Sequence, residues 1–176
     1  WFTSDNGPAA QGGGPGLAKG GRQQGETGGF RERKGSLYEG GIRVPGILYW
    51  PEKITMHRET DFPVVTSDYF PTILDLLDIP LDNQPMLDGI SIRDVIETDT
   101  ISIRNNPIGF QSRYKNSFMM VWSDDKYKLI SKDHGETLEL YDLVIDPYEK
   151  NDISSAFPDL VTAMAGDLEA WITSFK

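Results

Sequence analysis

Apolar residues along this chain come in short bursts, and one long stretch near the amino end has almost none. WFTS at residues 1–4 reads as the stump of a buried strand, and GILYW (Gly46 to Trp50), closed by Pro51, reads as a second. Thirteen of the eighteen glycines fall between Gly7 and Gly41, so the stretch joining these strands reads as a long Gly-rich loop rather than a helix or strand. Loops longer than about 12–15 residues without secondary structure of their own are usually functional or disordered, and strands at both ends favour function. Further on, VTSDYFPTILDLLDIP predicts a helix from about Ser67 to Ile79 with Ser67 as N-cap, Asp68 in its first turn and Pro80 as its stop. Phe70, Ile73, Leu74 and Leu77 share one face of it. DGISIRDVIE predicts a short second helix, and FMMVW, KYKLI and TLELYDL predict strands, the last two joined by the turn SKDHGE. From Pro158 onward, Leu160, Val161, Met164, Leu168, Trp171, Ile172 and Phe175 recur at helical spacing and predict an amphipathic tail helix. The expected fold class is α/β: an α/β portion over residues 1–99, then a small antiparallel sheet covered by the last helix over residues 100–176.

Composition narrows the partners. At 38% apolar and 11% aromatic residues the chain can bury a core, which sets it apart from disordered sequences. No apolar run approaches the ~18 residues that cross a bilayer, so no membrane segment is expected. A net charge of −10 argues against nucleic acid as a partner. That charge is uneven, +2 over residues 1–60 and −12 over residues 61–176, so an anionic ligand would favour the first third. The absence of cysteine excludes disulfides, thiolate metal sites and a cysteine nucleophile on this chain, without identifying a compartment.

Two places could carry chemistry. Asp5-Asn6-Gly7 follows directly on the first strand, where open α/β sheets place their ligands, and its carboxylate and amide oxygens suit a hard cation such as calcium. The same triplet is also a good turn, and two side-chain oxygens cannot fill a calcium shell of about 6–8. Lys34, in RERKGSLYEGG, carries a compact ammonium suited to one oxygen of a sulfate or phosphate, with glycines beside it that admit a ligand closely. Its bland alternative is a solvated loop lysine, with Arg31, Arg33 and Arg43 equally solvated. Nucleotide binding is the weaker rival, since neither GxGxxG nor GxxxxGK[ST] occurs. Of the two histidines, His57 reads as a surface residue and Asp133-His134-Gly135 as a hairpin turn.

Read together, FTSDNGP, the Gly-rich stretch, KGSLYEGGIRVPGILYWP, SDYFPTILDLL, DGIS and LYDLVIDPYEKNDI resemble, in that order, the second half of the sulfatase family. The resemblance implies the carboxyl-terminal part of an alkaline-phosphatase-like α/β sandwich followed by a small subdomain. It implies further that Asp5 and Asn6 bind a divalent cation, usually calcium, and that Lys34 contacts the substrate sulfate. In that family the nucleophile is a formylglycine made from Cys or Ser in a CxPxR or SxPxR motif. Neither motif occurs here. The formylglycine, further metal aspartates, and a catalytic histidine and lysine are therefore expected on an amino-terminal half outside this chain. The expected substrate is a sulfated small molecule or carbohydrate. The alternatives are a non-catalytic anion-binding module and a phosphoester or phosphonate hydrolase of the same superfamily.

Overall fold

The computed structural model describes residues 1–9, 25–80, 87–98, 104, 106–114, 117–124, 126–133 and 135–174. The middle of the Gly-rich loop, the expected boundary between residues 99 and 100, His134 and Phe175 lie outside the described residues. The chain divides into two compact units, one formed by Trp1–Phe2 and Gly46–Ile108, the other by Thr3–Pro45 and Gly109–Lys176.

Strands β1 (Phe2–Thr3) and β2 (Gly46–Ile47) pair as a two-stranded sheet, and the helices of the first unit are α2 (Tyr69–Leu76) and α3 (Arg93–Glu97). A 3₁₀ turn, Thr66–Asp68, leads into α2. Ser67 is not the cap expected of it: it is exposed and makes no side-chain capping bond. Asp68 organises this end instead. Its fully buried carboxylate accepts the backbone N–H of Val65 (2.8 Å) and of Ile90 (2.9 Å) and a two-pronged pair from buried Arg104 at 2.7 and 2.9 Å. Such a fork satisfies both carboxylate oxygens at once, the condition for keeping an ion pair out of water. One turn on, Thr72 Oγ1 donates to Asp68 O and accepts Ile92 N–H, so α2 is fastened by its polar side. Its apolar face stays open: Phe70 is 50% and Leu77 63% exposed, and Ile73 is exposed beside them. Phe2, Ile47 and Tyr49 are exposed too, so neither predicted strand is interior within this unit.

The second unit holds the predicted antiparallel sheet, with four strands rather than three. β3 (Ile108–Tyr114), β4 (Ser117–Ser123), β5 (Tyr127–Ser131) and β6 (Leu138–Asp142) lie in sequence order. Register pairs Leu129 with Trp122 and Leu140, and Ile130 with Val121 and Glu139. The unexpected strand is β3, IGFQSRY, whose Gly, Gln and Arg break the apolar alternation that marks its neighbours.

Because side chains alternate along a strand, the sheet presents two faces, and both are covered. On one, Trp122, Leu129 and Leu140 pack against Met164 and Leu168 of α4 (Pro158–Thr173), with Leu160, Val161, Trp171 and Ile172 around them. The tail helix thus covers the sheet with the residues its spacing singled out up to Ile172. Gly109 is required beneath it, since a Cβ there would lie 2.7 Å from the Trp171 ring. On the other face, Val121, Ile130 and Tyr141 pack against Leu37 and Tyr38 from the end of the Gly-rich segment.

Leu168 is 3% exposed at the centre of the α4 face. Leu168→Ala should therefore cost about 2–5 kcal/mol through lost burial and a residual cavity, read as a lowered urea midpoint for unfolding of this unit.

Candidate functional site

The Gly-rich segment does not end as a plain loop. Its last residues form a single helical turn, α1 (Glu39–Ile42), lying on the sheet face opposite α4. Gly7 N–H donates to Gly41 O at 2.8 Å, and a Cβ on Gly7 would sit 2.0 Å from Gly40 O. Main chain meets main chain here at a distance only glycine permits. Lys34 N–H donates to Pro8 O at 3.1 Å, and an Arg33 guanidinium nitrogen donates to Ala9 O and Gly25 O, each at 3.2 Å. The backbone thereby draws Asp5-Asn6-Gly7 and Lys34 together across the loop that separates them in sequence.

Asp5 and Lys34 are exposed and Asn6 is half-buried. Asn6 Nδ2 donates to Gly7 O at 2.9 Å, which leaves Oδ1 as the side-chain oxygen a cation would meet. One carboxylate and one amide oxygen match the hardness of calcium and would supply only part of its shell. Among the described residues no group of three or more His, Cys, Asp or Glu could hold a metal ion, so the remaining ligands would come from outside them.

Around Glu39 of the α1 turn lies a cluster that the sequence did not reveal. Lys128, fully buried on β5, places Nζ 2.8 Å from Glu39 Oε1 and 2.7 Å from Glu149 Oε1. Glu149 Oε2 accepts Glu39 N–H at 2.7 Å, and Glu149 O accepts a bond from Arg31 at 3.0 Å. Burial pushes the Glu149 carboxyl above its ordinary value, with Lys128 opposing that rise. Alongside, the Glu139 carboxylate accepts from Tyr38 and Tyr141 and pairs with Lys132 at 2.7 Å. Burial would raise the Glu139 carboxyl, yet bonds from Lys132, Tyr38 and Tyr141 outweigh it and hold it below the usual range. Arg31 lies 3.8 Å over the Tyr38 ring and donates to Tyr141 Oη, so it and Arg33 are built into the structure rather than merely solvated. The one available signal for the cluster was Lys128 itself, a charge at the phase of Ile130 on β5, the face that Ile130 shares with Val121 of β4 and that is covered.

The other sequence candidates carry no such setting. His57 is exposed beside Glu59. Asp133 accepts Thr137 N–H within the turn joining β5 to β6.

A match to the family described as "N-sulphoglucosamine sulphohydrolase, C-terminal" runs over residues 25–172. The chain belongs to the sulfatase family, as its carboxyl-terminal domain. It is 30% identical to N-acetylgalactosamine-6-O-sulfatase of Bacteroides thetaiotaomicron over 96% of this chain and 35% of that protein. Human steryl-sulfatase is 36% identical over 55% of this chain and 16% of its own length. Among solved structures, Ps i-CgsB superimposes with a TM-score of 0.76 at 25% identity, covering 97% of this chain and 35% of its own. A second structure of Ps i-CgsB is in complex with k-i-k-neocarrahexaose. The sulfatase domain described here thus spans about a third or less of these relatives. Among the described residues no helix is long and apolar enough to cross a membrane.

Two outcomes are expected from this geometry. Gly7→Ala should force the main chains apart and cost about 1–3 kcal/mol, seen as a lower thermal midpoint. Glu149 should also make stability pH-dependent. Because its folded pKa is raised, the folded state binds the proton more tightly than the unfolded chain. Its contribution is therefore complete below the ordinary 4.5 and is lost as pH rises through the raised value. Thermal midpoints measured across that window should fall with pH more steeply in the native protein than in Glu149→Gln.

Proposed function

We propose that the protein containing this chain hydrolyses sulfate esters of a saccharide, with Asp5 and Asn6 as two ligands of a divalent cation, calcium by the hardness of their oxygens, and Lys34 against the sulfate. The observation that supports this reading is the paired closure of the loop, Gly7 N–H to Gly41 O and Lys34 N–H to Pro8 O, which brings the main chain that follows Asp5 and Asn6 close to that of Lys34. A cation there would act as a Lewis acid toward a sulfate oxygen. The Lys34 ammonium would stabilise negative charge on another oxygen as the ester bond breaks, an effect that grows in a preorganised site. The nucleophile, a formylglycine by family resemblance, is assigned to the part of the protein outside this chain. A saccharide is favoured because the relatives matching nearly the whole chain are an N-acetylgalactosamine-6-O-sulfatase and a protein crystallised with a hexaose, whereas the steryl-sulfatase match covers 55%.

The test is turnover by the full-length protein of a sulfated oligosaccharide, an aryl sulfate and an aryl phosphate, each with calcium and with chelator. Lys34→Ala should lower kcat about 10²–10³-fold, the loss typical of removing one charge-stabilising donor. Asp5→Asn should weaken calcium binding, measured by calorimetry. Phosphate turnover exceeding sulfate turnover, or unchanged kcat in Lys34→Ala, would overturn the proposal.

A further inference from the structure

We infer that Glu149 and Lys128 are positioning residues for the cation and sulfate groups, acting through α1, an inference that rests on the assignment of Asp5, Asn6 and Lys34 above. Glu149 lies 110 positions after Glu39, yet its carboxylate accepts the N–H that begins the α1 turn. Lys128 reaches up from the sheet to the side chain of the same Glu39. All three side chains are buried, and two carboxylates face one ammonium. A cluster of that kind gives little net stability compared with apolar packing of the same volume, but it admits few alternative geometries. What it orients is a turn with two outputs. Gly41 O receives Gly7 N–H, next to Asn6, while Gly40 N–H donates to Arg31 O at 2.8 Å, in the segment that leads to Lys34. Both halves of the site are thus referred to one turn, and that turn is referred to Glu149 and Lys128. A shift of Glu39 would displace the cation ligands and the ammonium together. Partners standing behind metal ligands in this way generally alter affinity without touching the ion.

The test uses the full-length protein carrying Glu149→Ala, Glu149→Gln or Lys128→Met. Calcium alone is titrated by calorimetry at a temperature where circular dichroism shows each variant folded. The dissociation constant is read separately from the fraction of competent protein. A residue with a purely structural role lowers the thermal midpoint or the competent fraction and leaves the dissociation constant unchanged. A positioning role raises that constant by about tenfold or more and lowers kcat at saturating calcium. Glu149→Gln keeps an oxygen for Glu39 N–H and removes the charge, so it carries the test if Glu149→Ala or Lys128→Met does not fold. A dissociation constant within about twofold of native in the folded variants overturns the inference, as does failure of Glu149→Gln to fold, which would mark the residue as structural. Asp5→Asn serves as the control. If it leaves calcium binding intact, the site assignment itself fails; if it abolishes binding while Glu149→Gln does not weaken it, only the positioning role fails.

Discussion

Two peptide backbones can touch only where no Cβ stands between them, and the placement of Asp5, Asn6 and Lys34 hangs on one such contact. Gly7 sits against Gly40 and Gly41 with no room for a methyl group of its own, while a methyl on Gly40 would meet the carbonyls of Arg31 and Glu32 and one on Gly41 those of Arg33 and Ser36. The contact is made of ordinary hydrogen bonds, each worth about 0.5–1.5 kcal/mol net. Its importance is geometric. It fixes the main chain beside Asn6 against the α1 turn, and the pairing of Lys34 N–H with Pro8 O brings the Lys34 segment back to the same stretch. The same logic explains why Glu39–Ile42 forms a helical turn despite two glycines: packing against other main chain outweighs their poor helix propensity.

The sheet beneath is unusual in serving two masters. One face is a conventional apolar core under α4; the other is mixed, with Val121, Ile130 and Tyr141 beside the Lys128 ammonium. Burying that charge is tolerable because two carboxylates reach it within 2.8 Å. Glu139, with Tyr38, Tyr141 and Lys132, repeats the arrangement nearer solvent. Polar groups therefore specify how the α1 turn seats, while apolar groups hold α4.

This division decides what could be read from the chain. The α4 positions were legible because one apolar stripe meets one apolar face, so period alone locates Met164 and Leu168. The metal-type triplet and Lys34 were legible as motifs, and the structure adds the backbone pairing that joins them. Glu39 and Glu149 were not legible, since each looks like a surface charge until the third dimension brings it to Lys128, whose phase on β5 was the only hint. In α2 the apolar period was real, but it marks a face left open within this unit, while Thr72 and Asp68 take the buried side through polar bonds that periodicity does not register. Asp68 likewise displaced Ser67 as the organiser of that helix because its partner, Arg104, lies 36 positions away.

The distance in sequence between Glu39 and Glu149 bears on synthesis. A ribosome delivers Gly7 and the α1 turn first, whereas the carboxylate that receives the turn's first N–H arrives 110 residues later. Until then the glycines have no seat to dock against, and the Lys128 ammonium lacks one of its two counter-charges. Lys34 is therefore made long before the carboxylate that completes the seat of the α1 turn, and truncated products ending before residue 149 would be born without that seat.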